Sequence, residues 1–352
     1  MRLTTALLCT ILFASPTHAE ILIGIAGPLS GLNAAFGNEL RVGATAAITA
    51  LNAAGGINGE TLALVEGDDN CDAKRALEVA KTFVSKDVRL VVGHFCSSAS
   101  LAAAPSYAAA GILMIAPAST AVDLTSKSLW NVFRLTGRDD AQAELAATRI
   151  KSSGEGAEVL LITDQQAETA PLAKRFLATL PDAKSINVKT GSAKLPDDAG
   201  LLTATSAFLA LQAIDAGNIA SELKKLNPLI ALYGPDLIQS ETYSTRAGDA
   251  ATGTHVSFLQ DLTTIADPKR LSALPTSEGA TLAAYAAVEV FVTAAKARNV
   301  NDSRAMANWL SSGSDIATVI GTVRFNASGD LQKQPYVWLQ WQGGTLVPDK
   351  KP

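Results

Sequence analysis

Short apolar runs alternate with amphipathic helical patterns along most of the chain. The run EILIGIAG at 20–27 predicts a buried strand, and the pattern at 38–56 predicts a helix that ends at a glycine pair. A third pattern, at 72–86, predicts an amphipathic helix with Asp72 as its N-cap. The predicted strands are continuous apolar runs rather than alternating ones. That pattern is typical of a parallel sheet covered by helices on both faces, so we expect an α/β fold.

The same alternation continues through the second half of the chain. Further strands are predicted at NVFRLTG, EVLLITD, ALYGPD and THVSFL, with helical segments between most of them. The stretch 190–212 fits two interpretations, a strand at 204–211 or one irregular helix. A chain of 352 residues is long enough to form two lobes.

The N-terminal segment MRLTTALLCTILFASPTHAE has the features of a secretory signal. Arg2 is a short positive region, residues 6–14 form an apolar core, and small residues precede a predicted cleavage site after Ala19. The apolar core is too short to span a bilayer, and we expect no later stretch to be apolar for long enough either. The sequence therefore predicts an exported protein with residues 1–19 removed.

Composition excludes several classes of function. Hydrophobic residues make up 48 % of the chain and charged residues 18 %, which is typical of a globular protein. The net charge of −4, and one unit lower without Arg2, argues against nucleic acid and anionic membranes as partners. The sequence has no zinc-ligand spacing and no P-loop, so we expect neither a metal nor a cofactor.

The stretch VVGHFCSSAS at 91–100 could hold either a nucleophile with its base or a ligand cradle. After signal cleavage only Cys71 and Cys96 remain, and two cysteines in an exported chain most often form a disulfide. A free, nucleophilic Cys96 is the alternative. His94 has no acidic partner nearby in sequence, so a structural role is favoured over a catalytic one.

Hydroxyl groups and free backbone amides follow three of the predicted strands. They occur in GPLSG at 27–31, at Ser97 and Ser98, and in APAST at 116–120. Ligands of open parallel sheets bind at the carboxyl ends of the strands, where these loops meet. A helix that starts at Ser97 would present unpaired amides and its positive dipole end, which favour a carboxylate. The alternative is that Ser97 or Ser98 only caps the helix.

Several motifs resemble the type I periplasmic binding proteins of ABC importers. IGIAGPLSG, GDDNCDAKRALEVAKTFV, VVGHFCSSAS and GILMIAPASTAVDLT resemble their leucine/isoleucine/valine-binding branch, closely over 20–138 and again at LYGPD and IGTVRFNASGDL. The resemblance implies two Rossmann-like lobes with parallel sheets, joined by a three-crossover hinge and closing around a ligand. We place lobe one at 20–138 plus 260–333 and lobe two at 139–259 plus 334–352.

The resemblance also implies the ligand contacts. An acid in the GPD turn of lobe two would pair with a ligand ammonium, and an aromatic residue of lobe one would lie near the ligand. The remaining contacts, of which one is made through the backbone of Ala118, would hold the carboxylate and ammonium. The implied set is Ser97, Ala118, Ser119, Thr120, Asp236 and Phe36.

The chain departs from the family where aromatic side chains usually close the site. Glu168 and Gln212 stand at two such positions in lobe two, and Ala280 stands at one in lobe one. Burying a carboxylate against an aliphatic ligand would cost several kcal/mol without a partner. If Glu168 and Gln212 face the cleft, the ligand carries a polar or cationic group or more volume. Otherwise both are solvated rim residues.

The sequence thus predicts a monomeric receptor that delivers a branched-chain or related amino acid to an ABC permease by hinge closure. Two alternatives remain, a binding protein for a non-amino carboxylate or amide and an exported sensor for a membrane receptor. A hydrolase is disfavoured, because there is no G-x-S-x-G elbow and the mature chain has only His94 and His255 as bases of that type.

Overall fold

The computed structural model describes residues 20–127, 129–154, 158–191, 194–197, 200–272, 274 and 279–350. The predicted signal segment and its cleavage site lie outside these residues. The strands are β1 (Ile21–Gly27), β2 (Leu62–Asp68), β3 (Leu90–Gly93), β4 (Leu113–Ala116), β5 (Val132–Arg134), β6 (Val159–Thr163), β7 (Lys184–Asn187), β8 (Ser206–Ala210), β9 (Ala231–Gly234), β10 (His255–Leu259), β11 (Ile316–Thr318), β12 (Gly321–Val323), β13 (Tyr336–Gln342) and β14 (Thr345–Pro348). The α-helices are α1 (Ala34–Ala53), α2 (Ala73–Ser85), α3 (Ser97–Ala110), α4 (Asp123–Ser126), α5 (Ala141–Ser152), α6 (Ala170–Thr179), α7 (Gly200–Thr203), α8 (Ala213–Leu226), α9 (Glu241–Ala247), α10 (Pro268–Leu271), α11 (Gly279–Ala297) and α12 (Ser303–Ser311).

The first sheet is fully parallel and has the strand order β2-β1-β3-β4-β5. Its central strands are buried, as their continuous apolar sequences predict. One face packs on α2 and α3, and the other packs on α1 and α11. Helix α2 begins where predicted, because the Asp72 carboxylate accepts hydrogen bonds from the amides of Lys74 and Arg75, each at 2.9 Å.

The second sheet has the strand order β14-β13-β10-β9-β8-β6-β7. Five of its strands are parallel, whereas β13 and β14 form an antiparallel hairpin at one edge that the sequence reasoning did not predict. Strand β8 settles the uncertain stretch 190–212 in favour of the strand interpretation. All five residues of β8 are buried, and β8 lies between β6 and β9.

The chain passes between the two sheets three times: after β5, after β10 and before β13. A buried charge network joins two of these crossovers. The carboxylate of Asp330 pairs with Arg134 at 2.7 Å and with Arg138 at 3.1 Å, and Arg138 also pairs with Asp140 at 2.8 Å. The Tyr336 hydroxyl donates to the Arg138 carbonyl at 2.9 Å. The lobe boundaries drawn from the sequence fall near these crossovers and remain a proposal.

Helix α11 corrects one expectation. Among the described residues it is long and apolar enough to cross a membrane by length and composition, although no such stretch was expected after the signal. Most of its side chains are buried, and the helix packs along α1 in the core of the first sheet. Its place in this core accounts for its apolar character, so it is weak evidence for a membrane span.

Candidate functional site

Cys71 and Cys96 form a disulfide, as predicted, with their Cα atoms 5.3 Å apart. The bond joins the loop after β2 to the residue before α3. It excludes the alternative of a free Cys96 nucleophile, because the thiolate form that would attack a substrate cannot exist while the bond is intact.

His94 does have an acidic partner, which is distant in sequence. Its Nδ1 lies 2.5 Å from Oδ2 of Asp69, and its Nε2 lies 3.0 Å from the hydroxyl of Tyr107. All three side chains are fully buried. Burial, together with the charge of Asp69, raises the pKa of Tyr107. A substrate cannot reach this group, so His94 supports the loop that carries the disulfide and has no catalytic position.

Helix α3 begins at Ser97, but neither Ser97 nor Ser98 is its N-cap. Cys96 occupies that position and makes no side-chain cap hydrogen bond. The amides of the first turn therefore have no partner within the helix. The Ser97 hydroxyl accepts a hydrogen bond from the amide of Ala121 at 3.3 Å, which ties the start of α3 to the loop after β4. Ser98 is exposed and lies 3.4 Å from the Cys71 carbonyl.

In the loop after β4, two predicted ligand hydroxyls have different surroundings. The hydroxyl of Ser119 is buried and lies within 3.1 Å of three oxygens, those of Ser100 and of the His94 and Phe95 carbonyls. It therefore points into the protein, which leaves only the backbone of Ser119 for a ligand. Thr120 is half-buried, and its side chain hydrogen-bonds to the carboxylate of Asp139.

Asp236 starts a short 3-10 helix directly after β9 and is held by Gln142 of α5. The Gln142 side chain donates to the Asp236 carboxylate at 3.0 Å and accepts from the Asp236 amide at 2.9 Å. The Ser257 hydroxyl donates to the same Gln142 oxygen at 2.9 Å, which fixes the orientation of the amide. The carboxylate of Asp236 is therefore oriented by its neighbours before any ligand arrives.

The electrostatics of this region favour a cation. Burial raises the pKa of Asp236, the Gln142 hydrogen bond opposes that rise, and the charge of Asp139 raises the pKa further. Burial also raises the pKa of Asp139, against the Thr120 hydrogen bond and the charge of Arg134. Two desolvated carboxylates that repel each other are both stabilised when a positive group binds near them. An ammonium group is the natural complement.

An apolar cavity of about 540 Å³ lies beside these loops. Its lining is mostly apolar and includes Phe36, Phe95, Ala118, Leu135, Phe258 and Ala280, while Glu39, Thr136, Gln260 and Asp261 add polar groups at its wall. The Phe36 and Phe95 rings are stacked, with centroids 4.7 Å apart and planes 15° apart, and Phe36 remains 43 % exposed. Phe95 and Ala118 each stand two residues before a polar candidate, Ser97 and Thr120. The polar loops and the apolar cavity therefore border one another.

Glu168 and Gln212 do not line this cavity. Both are exposed: Glu168 lies in the loop before α6, and Gln212 is the residue before α8. Gln212 instead lines a separate pocket of about 480 Å³ with Thr190 and Asp215. Their contact with a ligand remains a proposal.

Sequence reasoning missed Phe95, Asp139 and Gln142 as candidate site residues. The RDD triplet at 138–140 directly after a predicted strand offered a signal for Asp139. Phe95 gave no comparable signal, because it lies between His94 and Cys96, whose side chains carry the reactive groups.

Comparisons with known proteins identify the family of this chain. Residues 20–199 match a family model described as "Periplasmic binding protein". A Leu/Ile/Val-binding protein of Rhizobium johnstonii is 34 % identical over 98 % of each chain. The chain belongs to the periplasmic binding protein family, in the branch of the Leu/Ile/Val-binding proteins. An amino acid binding protein of Pseudomonas aeruginosa is another relative, 32 % identical over 92 % of this chain and 91 % of its own.

Solved structures of the family share the fold. A putative branched-chain amino acid ABC transporter protein from Rhodospirillum rubrum superposes with a TM-score of 0.73 at 21 % identity, over 94 % of this chain and all of its own. An ABC transporter substrate-binding protein from Desulfitobacterium hafniense gives 0.72 at 24 % identity with the same coverage. At these identities the likeness concerns the fold alone. It confirms the predicted class, the α/β fold of a type I periplasmic binding protein.

Proposed function

We propose that this family member is a periplasmic receptor that binds an amino acid, branched-chain or related, and delivers it to an ABC importer permease. The observation that carries the proposal is the position of an apolar cavity beside loops that offer both an anion site and a cation site. An amino acid has the matching three parts: a carboxylate, an ammonium and a side chain. The names of the relatives, Leu/Ile/Val-binding proteins, support the same substrate class.

The carboxylate would bind at the start of α3. There the first-turn amides, the Ser97 hydroxyl and the backbone of Ala118 and Ser119 supply hydrogen-bond donors. Backbone amides at a helix N-terminus favour an anion through their unpaired N–H groups and the helix dipole. The Thr120 hydroxyl would contact the ligand on the side nearest Asp139.

The ammonium would bind at Asp236. The Gln142 amide holds this carboxylate in place, so little orientation is lost when the ligand binds. Asp139 adds negative charge nearby. The ligand side chain would enter the cavity beside Phe36, while Glu168 and Gln212 would approach from the rim of lobe two when the lobes close.

Transport follows from closure of the lobes, 20–138 plus 260–333 and 139–259 plus 334–352. The ligand contacts both lobes only in the closed form, so its binding shifts the population toward closure. A permease would then recognise the closed rims, with ATP hydrolysed by a separate subunit. The receptor would act as an exported monomer without cofactor, after cleavage at Ala19, and would carry out no enzymatic reaction.

Calorimetric titration of ligand-free protein with the twenty amino acids tests this proposal. The variant with Ser97→Ala and Thr120→Ala should lose at least about tenfold in affinity, because hydrogen bonds to a charged group contribute roughly 1.5–3 kcal/mol each. Ser98→Ala is the matched control, since Ser98 is exposed and its hydroxyl faces the Cys71 carbonyl. Full affinity in a folded double variant would place the carboxylate elsewhere.

A further inference from the structure

The apolar cavity combines two aromatic rings with three of the smallest residues. Phe36 and Phe95 form one part of its lining, and Ala118, Gly279 and Ala280 form another. A Cβ atom added at Gly279 would meet no described atom within 4 Å, so none of the described residues fills the space beside the start of α11. Helix α11 is held by the core of the first sheet, and Ala280 itself is only half-buried.

The cavity is larger than a branched aliphatic side chain needs. If each non-hydrogen atom takes roughly the 30 Å³ of a water molecule in the liquid, a leucine side chain takes about 120 Å³ and a tryptophan side chain about 300 Å³. The cavity measures about 540 Å³. An apolar cavity that its ligand fills poorly forfeits dispersion contacts along its walls. A bulkier side chain therefore gains more from this site than leucine or valine does.

The Phe36 ring offers a flat apolar surface for such a side chain. It is 43 % exposed even though it stacks on Phe95, so part of it stays available to a ligand. Aromatic rings favour offset-stacked or edge-to-face contact with one another, beyond the gain from burial alone. The volume of the cavity and the exposed face of the Phe36 ring thus both favour a ligand with an aromatic side chain.

We infer that the ligand is an amino acid with an aromatic side chain, and that Ala280 sets this preference by leaving the cavity wall open. The inference rests on the proposed function and narrows its substrate class. Replacing Ala280 by tryptophan would add nine non-hydrogen atoms, or about 270 Å³. On this scale about 270 Å³ would remain, which holds the roughly 120 Å³ of a leucine side chain but falls short of the roughly 300 Å³ of a tryptophan side chain.

Calorimetric titration with tryptophan, phenylalanine, leucine and valine tests the inference. The native protein should bind tryptophan or phenylalanine at least about tenfold more tightly than valine, a ratio that even one methylene group can produce in an apolar pocket. Ala280→Trp should lower the ratio of tryptophan to leucine affinity at least about tenfold, and Ala280→Leu should lower it less. Ala297→Trp, at the exposed far end of α11, is the matched control and should leave the ratio unchanged.

Thermal unfolding of each variant shows whether it is folded. If Ala280→Trp does not fold, the smaller substitution Ala280→Leu still tests the inference. Tight binding of leucine or valine with no aromatic preference would overturn this inference and leave the proposed function standing. The same holds if the folded Ala280 variants weaken all four ligands equally. Failure of all twenty amino acids to bind would overturn both.

Discussion

Replacing Asp236 by asparagine removes a charge and little else. The side chain keeps its shape, and its remaining oxygen can still accept the 3.0 Å hydrogen bond from Gln142. The backbone hydrogen bond between the two residues is unaffected. Any loss of ligand affinity in Asp236→Asn therefore reports the missing charge rather than a displaced loop.

The expected loss follows from the burial of the carboxylate. Truncating one partner of a desolvated, hydrogen-bonded charge pair costs about 2–5 kcal/mol. Asp236 is half-buried rather than fully buried. We therefore expect the lower part of that range, about 2–3 kcal/mol, which corresponds to roughly 30- to 150-fold weaker binding.

Calorimetric titration at neutral pH measures this loss directly. The control is Glu241→Gln, which removes an exposed acid from the same lobe five residues later and should leave affinity unchanged. If Asp236→Asn binds the amino acid within about threefold of the native protein, then Asp236 does not pair with the ammonium and the reasoning is wrong.

The same substitution should stabilise the ligand-free protein. Because the folded-state pKa of Asp236 is raised, mainly by burial, the folded protein holds this proton more tightly than the unfolded chain does. The free energy of unfolding therefore falls as the pH rises from about 3.9, the unfolded pKa, through the folded one. At neutral pH Asp236→Asn should unfold at a higher denaturant concentration than the native protein, and the difference should vanish in acid. An unchanged midpoint at neutral pH would contradict this.

Two further predictions concern stability. Replacing Cys71 and Cys96 by serine should lower the free energy of unfolding by about 3.5 kcal/mol in the chain-entropy model and lower Tm by several degrees, and an unchanged Tm would contradict this. Asp330→Asn should destabilise the protein by about 3–5 kcal/mol, because it removes the carboxylate that pairs directly with the buried Arg134. Denaturant unfolding measures this change, and a loss below about 1 kcal/mol would contradict the prediction.

The strand and helix pattern of the fold was predictable because the core is simple. Continuous apolar strands and an Asp72 cap give strong local signals, and both sheets contain the predicted strands. The antiparallel hairpin β13–β14 was not predicted, although β13 begins with the apolar run YVWL; all but one of the hairpin's residues are half-buried or exposed, unlike those of the covered parallel strands. The apolar length of α11 was not anticipated, because a helix packed on most of its sides in a core needs as many apolar residues as a membrane span does.

The site was only partly predictable, because residue type does not fix side-chain direction. Ser119 and Thr120 are neighbours with similar hydroxyls, yet one points into the protein and the other meets Asp139. The partnership of His94 with Asp69 joins residues 25 positions apart, a distance that local sequence reasoning does not reach. The cavity beside Phe36 depends on which residues are small and where they meet, and only the folded chain specifies that.

The most direct test of the account compares an amino acid with its counterpart that lacks the ammonium, such as phenylalanine with 3-phenylpropionate and leucine with 4-methylpentanoate. A thermal-shift measurement on ligand-free protein suffices, since a ligand at a hundred times its Kd adds about 2.7 kcal/mol, which is several degrees in Tm. The account predicts that the amino acid of at least one pair raises Tm and that its counterpart does not. Equal shifts within each pair, or shifts by the ammonium-free acids alone, would contradict it.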